Sequence, residues 1–198
     1  MRNRAILSLG VLGLIFAVSA GFAVAQQGGA PATPPPPPLS LKTSAFSDGG
    51  DVPAKYGCDV AQGAPMISPA LTWANVPKAA VTLTLIMHDT DANPQKGIMD
   101  VTHWTVFNIP ATATSLPEGV TPDAPVADAG MQGKNIRGVN GYQAPCPPKG
   151  GPAHHYIFEL YALDTKLDLP AGAPRADILK AMDGHIVGKS SYVGSFHH

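Results

Sequence analysis

Charged residues are scarce in this chain: 14% of the 198 residues are Asp, Glu, Lys or Arg, and the formal net charge is −1. No stretch collects Lys and Arg into a basic stripe, so the sequence lacks the electrostatic footprint of a nucleic-acid-binding protein. Apolar residues make up 44% of the chain, which is enough for a hydrophobic core and excludes global disorder. We therefore expect a globular domain that does not bind nucleic acid.

Cysteine is also rare, and the N-terminus suggests how to interpret the two that exist. The segment 1–25 has a positive start, an apolar run and small residues at Ala23 and Ala25, which predicts a signal peptide cleaved after Ala25. An uncleaved anchor is the alternative, because the apolar run could span a bilayer. No cysteine stands directly after the run, which excludes lipid attachment there. We predict a periplasmic or secreted protein that does not span the membrane after cleavage.

Export makes a disulfide between Cys58 and Cys146 the expected state, since the cysteine count is even and the compartment is oxidising. Two separate buried thiols are the alternative. Residues 26–40 include five consecutive prolines and predict an extended, proline-rich linker. The domain proper is then expected at residues 41–198.

Short apolar runs bounded by Gly, Pro, Asn and Asp dominate the domain, and few helical periods interrupt them. This pattern predicts a mainly β fold, a sandwich or a barrel-like domain. One helix is expected in APRADILKAMDG, residues 173–184, where Pro174 begins it and Gly184 ends it. Residues 111–140 lack strong periodicity and are expected to form a long loop. The predicted strands are 70–76, 80–89, 101–110, 155–164 and 191–196.

Histidines and carboxylates occur at or beside three of these strands. Strand alternation puts His88 and Asp89 on opposite faces of the first. It puts His103 on one face with Val101, Thr105 and Phe107. At the start of the third strand, His154 and Tyr156 share a face, and His155 points the other way. A buried histidine in a strand is more often a core residue than a ligand, so each position taken alone is weak evidence for a site.

Taken in order, the motifs resemble one family. SPALTW, HDTDAN, THWTVFNIP, GYQAPCPPKGGPAHHYIFELYALD and AMDGHIVGKSSYVGSF are similar to segments of phosphatidylethanolamine-binding proteins, most of all the bacterial Raf-kinase-inhibitor-like branch. The resemblance covers residues 41–198. It implies an antiparallel β-sandwich with one or two short helices near the C-terminus. It also implies a small pocket for an anion or a phosphate-bearing phospholipid head group.

The resemblance further implies a set of ligand-binding residues, carried over by motif: Asp89, Asp91, His103, Gly141, Pro148, His154 and Tyr156. Two departures from the family pattern stand out. The family's Asp-Pro-Asp-Ala-Pro is Asp-Thr-Asp-Ala-Asn here, so two stiffening prolines are missing. The family's His-Arg-Tyr is His154-His155-Tyr156, which removes one fixed positive charge and predicts weaker anion binding at neutral pH.

Function follows from what the motifs include and omit. The sequence contains no G-x-S-x-G elbow and no H-E-x-x-H pair, so we expect a non-catalytic binding protein without a metal or cofactor. One alternative is a protein-interaction module that modulates an envelope partner, prompted by the proline-rich leader and the 111–140 loop. Another is a metal-assisted hydrolase built on Asp89, His103 and His154, because imidazole and carboxylate are zinc ligands.

Overall fold

A computed structural model describes residues 35–59, 64–92, 96–127 and 130–198. Residues 36–198 form one compact unit. The predicted signal peptide and most of the predicted linker, up to residue 34, lie outside the described residues. Within the described ranges, no helix combines the length and the apolar character needed to cross a bilayer.

The described residues are mainly β, as predicted. A 3-10 helix at Ala54–Tyr56 and the helix α1 at Arg175–Met182 are the helical segments of this part of the chain. The strands are β1 Ser40–Lys42, β2 Gly50–Asp51, β3 Leu71–Ala74, β4 Thr82–Asp89, β5 Val101–Pro110, β6 Ser115–Leu116, β7 Met131–Gln132, β8 His154–Leu163 and β9 Ile186–Phe196.

Two sheets make up the sandwich. The smaller has the order β1-β3-β6, and the larger has the order β2-β9-β8-β4-β5-β7. All pairs are antiparallel except one, because the two-residue strand β2 runs parallel to the end of β9. The larger sheet is thus mixed at its β2 edge, whereas the sequence predicted antiparallel pairing throughout. The central strands β8, β4 and β5 supply most of the predicted site residues.

The larger sheet is covered on both faces. One face packs on the smaller sheet in a core that includes Leu85, Trp104 and Phe158. The other face packs against α1 and the loops around it, in a second cluster that includes Ile86 and Ile178. All eight residues of β4 are therefore buried, and its polar side chains must find partners inside the protein.

The helix α1 lies within the predicted segment and has the expected ends. Pro174 occupies the N-cap position and Asp177 lies in the first turn, where a carboxylate is favoured by the helix dipole. Gly184, with φ of 80°, follows the last turn in the left-handed region that glycine tolerates. Ile178 and Met182 are buried on one face, so α1 closes the second core cluster.

A β-bulge in β5 changes the face on which His103 lies. Met87 of β4 pairs with Trp104, and the next residue of β4, His88, pairs with Thr102, so His103 is the extra residue on β5. A bulge bends the strand and redirects a side chain. His103 therefore lies on the face of Trp104. Phe107 packs in the other cluster, so the predicted shared face with Thr105 and Phe107 is wrong.

Candidate functional site

Asp89 is the last residue of β4, and only 3% of its surface is exposed. Its Oδ1 accepts the backbone N–H of Asp91 at 2.9 Å, a contact typical of aspartate in turns. Its Oδ2 lies 2.8 Å from Nδ1 of His154. Asp89 thus shapes the loop after β4 and orients the first residue of β8, which lies beside β4 because Asp89 and Tyr156 pair across the two strands.

Asp91 and His155 form a second contact between the same loop and strand. The Oδ2 of Asp91 accepts the backbone N–H of His155 at 2.6 Å and lies 2.9 Å from its Nδ1. These hydrogen bonds, the backbone one first, hold the pKa of the Asp91 carboxyl below its usual range. Asp91 is therefore ionised at neutral pH. The loop after β4 lacks the two prolines of the family pattern, and Asp89 and Asp91 hold it in place through these contacts.

His103 is a buried residue, 5% exposed. Its Nδ1 lies 2.8 Å from the carbonyl oxygen of Gln143, so Nδ1 carries a proton and donates it. Burial lowers the pKa of the His103 ring, although the hydrogen bond to Gln143 and the charge of Asp89 oppose that shift. The ring is consequently neutral at pH 7, with a lone pair on Nε2.

Tyr156 lies behind the two histidines. Tyr156 is fully buried, and its ring packs edge-on against the ring of His103, with the two centroids 5.0 Å apart. Burial raises the pKa of the Tyr156 hydroxyl far above its usual range, and the negative charge of Asp89 raises it further. The hydroxyl is therefore a protonated donor. It has no hydrogen-bond partner by distance and angle among the described residues, which is uncommon for a buried polar group.

These elements border a cavity of about 750 Å³, within the range of small-molecule sites. Asp89, Asp91, His103, Pro148 and His154 of the predicted set line it. The remaining two, Tyr156 and Gly141, are not among the lining residues, although the ring of Tyr156 packs against that of His103. Gly141 instead packs against Pro122. The other residues around the cavity are Ala92, Val101, Ile136, Arg137, Gln143, Ala144, Cys146 and Pro147.

Arg137 and Gln143 are the polar lining residues that the sequence did not predict. Gln143 follows Gly141 in a quoted motif, but its main contact with the site is through its backbone carbonyl, which no side-chain pattern reveals. Arg137 belongs to the 111–140 segment, which was expected to be a loop. Arg137 makes no ion pair with any residue that the structure describes, so its charge is available to the cavity.

The rings of His103 and His154 are oriented alike. Each uses Nδ1 toward a protein oxygen, Gln143 for one and Asp89 for the other. The hydrogen bonds that the described residues make to these two rings are those at Nδ1, and both rings line the cavity. Each Nε2 accepts a hydrogen bond when its ring is neutral and donates one when the ring is protonated. The site can therefore contact a ligand oxygen in either protonation state.

Both oxygens of Asp89 are occupied by protein groups, which argues against the carboxylate as a free metal ligand beside His103 and His154. Among the described residues, the side chains whose ligand atoms cluster as a metal ion requires are Cys58, Cys146 and His198. The sulfur atoms of Cys58 and Cys146 lie at bonding distance, 2.14 Å apart, as predicted for a disulfide. Cys146 borders the cavity at its Pro147–Pro148 side.

The protein-family model described as phosphatidylethanolamine-binding protein matches residues 42–197. The chain belongs to the phosphatidylethanolamine-binding protein family. A UPF0098 protein of Methanothermobacter thermautotrophicus is 46% identical over 158 residues, covering 80% of this chain and 98% of that protein. The crystal structure of CT736, a phosphatidylethanolamine-binding protein homolog of Chlamydia trachomatis, covers 81% of this chain and 98% of its own, with a TM-score of 0.71 and 34% identity.

A third relative bears on where family members reside. A Mycobacterium tuberculosis protein, LppC, carries a lipoprotein name and is 36% identical over 163 residues, covering 82% of this chain and 74% of that protein. The aspartates, the strand histidine, the Pro-Pro turn and the His-x-Tyr of the family resemblance lie together around one cavity and its floor. That these residues of the phosphatidylethanolamine-binding protein bind a ligand stays a prediction.

Proposed function

We propose that the chain is an exported, non-catalytic binding protein that holds a small oxyanion, such as a phosphate-bearing head group, in the cavity. One observation carries the proposal: His103 and His154 donate Nδ1–H to the protein and leave Nε2 toward a cavity that Arg137 also lines. A pair of fixed imidazoles beside a guanidinium is a common way to recognise oxygen atoms of a charged ligand.

The protonation states favour a phosphate that carries one proton. Neutral Nε2 of His103 accepts a hydrogen bond from a P–OH group, and Arg137 attracts the negative oxygens. Asp89 and Asp91 would repel a bare anion, but Asp89 has both oxygens hydrogen-bonded and Asp91 is paired with His155. The carboxylates thus orient imidazoles but stay negatively charged, so they favour a phosphate that carries a proton over the fully ionised anion.

A binding role agrees with the chemistry of the lining. No serine, threonine or lysine lines the cavity among the described residues, and the sulfur of Cys146 lies at bonding distance from that of Cys58. A nucleophile activated by a neighbouring base is the usual requirement of covalent catalysis. Binding without covalent chemistry is therefore the function that these side chains support best.

Export is supported by three independent features. Residues 1–25 have the composition of a signal peptide. The sulfur atoms of Cys58 and Cys146 lie at bonding distance, and disulfides persist in oxidising compartments. A relative carries a lipoprotein name. No cysteine stands directly after the apolar run of this chain, so we propose a released periplasmic or secreted protein.

Calorimetry with phosphate, phosphoethanolamine and acetate tests the binding function. We expect phosphate and phosphoethanolamine to bind at millimolar concentration or below. His154→Ala should weaken that binding about tenfold or more, since a charge-assisted hydrogen bond contributes about 1.5–3 kcal/mol. His185→Ala is the matched control, because His185 makes a similar pair with Asp164, at 2.8 Å, and does not line the cavity. The proposal fails if none of the three ligands binds, or if His154→Ala binds as the wild type does.

A protein partner is the second candidate, and two exposed apolar residues favour it. Ile136 and Val139 are 36% and 44% exposed, and Ile136 lies at the cavity beside Arg137. Deleting residues 111–140 would remove β6 and β7 from the sheets, so the test needs point changes. Ile136→Ser with Val139→Ser should abolish capture of an envelope protein while phosphate binding persists. Equal capture by this variant and the wild type would contradict the second candidate.

A further inference from the structure

Cys58, Cys146 and His198 form a cluster at the edge of the cavity that the binding function does not use. Nδ1 of His198 lies 3.6 Å from the sulfur of Cys58 and 4.0 Å from the sulfur of Cys146. The ligand atoms of the three residues lie within 4.8 Å of one another. The backbone carbonyl of His198 accepts the N–H of Gly150 at 2.9 Å, which holds His198 in place.

We propose that this cluster is a redox-gated metal site, closed while the cysteines are joined and open to Zn²⁺ once they are reduced. A disulfide sulfur is a poor ligand, whereas a thiolate binds zinc strongly. Reduction by a dithiol gives two thiols and leaves the reductant as its disulfide. Zn²⁺ then displaces both thiol protons and takes two sulfurs and one imidazole nitrogen, with water in the fourth position.

The observed spacing fits this coordination. With Zn–S near 2.3 Å and Zn–N near 2.05 Å, tetrahedral geometry places sulfur and nitrogen about 3.6 Å apart. The two measured sulfur-to-Nδ1 distances are 3.6 Å and 4.0 Å. Two thiolates on one zinc lie about 3.8 Å apart, a separation within reach of side chains whose Cα atoms are 5.3 Å apart. The histidine therefore needs little movement after reduction.

The other nitrogen of His198 is arranged as in metal sites. Nε2 lies 3.0 Å from Oδ1 of Asp59, an ion-pair distance that favours the tautomer with the proton on Nε2 and the lone pair of Nδ1 toward the sulfurs. A histidine that ligates a metal commonly donates its second N–H to a carboxylate, which fixes the tautomer and the ring orientation. Asp59 is thus a positioning residue for His198, which would coordinate the zinc ion through Nδ1.

Zinc titration of the full chain tests the site, with metal content read by native mass spectrometry and affinity by competition with a chromophoric chelator. The reductant is a phosphine, which takes the oxygen of a water molecule to become its oxide, while the two hydrogens of that water complete the thiols. We expect one tightly held Zn²⁺ per reduced chain and at least tenfold weaker binding to the oxidised chain. Asp59→Asn should weaken the reduced site about 10- to 100-fold, and His198→Ala at least tenfold.

His197→Ala is the matched control, because His197 is exposed and adjacent in sequence but is not among the clustered ligands. It should bind zinc as the wild type does, which separates the site from adventitious binding by terminal histidines. Equal zinc binding by the oxidised and reduced chains overturns the proposal. So does equal affinity of His198→Ala and His197→Ala, the result expected if reduction unfolds the chain and its seven histidines compete alike. Circular dichroism of the reduced protein accompanies the titration.

Discussion

His88 and Asp89 are consecutive residues of β4 that face two different surroundings. Asp89 faces the cavity, where it orients His154. His88 faces the opposite side of the larger sheet, where its Nδ1 lies 2.6 Å from Asp100 and its Nε2 lies 3.4 Å from Glu159. Asp89 and His154 thus belong to an inner polar cluster at the cavity. His88, Asp100 and Glu159 belong to an outer polar cluster on the far face of the larger sheet.

In the outer cluster each charged side chain has an oppositely charged neighbour, although Nε2 of His88 and Nε of Arg175 have no hydrogen-bond partner among the described residues. Arg175 of α1 contacts Asp100, and Lys189 of β9 lies 2.6 Å from Glu159. The nearby ring of His88, followed by the ammonium group of Lys189, lowers the pKa of Glu159 to about 2. On the cavity side, Arg137 makes no ion pair and Nε2 of His103 and His154 makes no hydrogen bond with the described residues. A network of paired charges contributes to stability, whereas a cation and ring nitrogens without partners at a cavity are available to a ligand.

The largest expected effect comes from opening the outer cluster. Arg175→Ala should lower the free energy of unfolding by about 3 kcal/mol, because it leaves the carboxylate of Asp100 without its guanidinium partner in a largely buried position. Phosphate affinity should stay within about twofold, since Arg175 does not line the cavity. Urea unfolding and calorimetry on the same preparation measure both. A large loss of affinity in the folded variant would show that the two faces are coupled.

The central strands were the part of the fold most accessible to prediction. The predicted bounds of β4, β5 and β8 lie within two residues of the observed ones, because alternating β-branched runs between turn residues carry a strong local signal. Strands of two or three residues, such as β2 and β7, were missed since they are too short to show a period. Long-range pairing alone defines them.

The site was harder to predict, for a physical reason that differs with each residue. The face of His103 depends on a bulge, and a bulge is invisible to an alternation count. Arg137 reaches the cavity because its loop folds back over the sheet, where the backbone N–H of Ile136 bonds the carbonyl of Thr102. No periodic signal encodes that path. His154 beside Asp89 was anticipated only through the family motifs.

A smaller effect is expected from the corresponding arginine on the cavity side. Arg137→Ala should weaken phosphate binding about three- to tenfold, because it removes a charge-assisted contact. The free energy of unfolding should change by less than about 0.5 kcal/mol, since Arg137 is exposed and unpaired among the described residues. Arg137→Lys, which keeps the positive charge, should retain most of the affinity. Calorimetry and urea unfolding again give both values, and a stability loss as large as that of Arg175→Ala would contradict the contrast between the faces.

The smallest expected effect concerns proton uptake at His103. Burial holds the pKa of this ring below that of an unfolded histidine, so between the two values the unfolded chain binds more protons. The stability of the ligand-free protein should therefore fall as the pH drops from 7.5 to 5.5. A bound oxyanion favours the imidazolium, so binding takes up a proton and becomes tighter over the same range.

Sulfate is the suitable probe for this linkage, because its charge is constant between these pH values. We expect about two- to fivefold tighter sulfate binding at pH 5.5 than at pH 7.5. His103→Asn keeps an N–H that can donate to the Gln143 carbonyl but removes the titrating ring, so its affinity should change less with pH. Calorimetry at the two pH values measures the difference. If acidification weakens sulfate binding in the wild type, or if His103→Asn keeps the whole increase, then His103 is a core histidine and the cavity recognises its ligand through His154 and Arg137 alone.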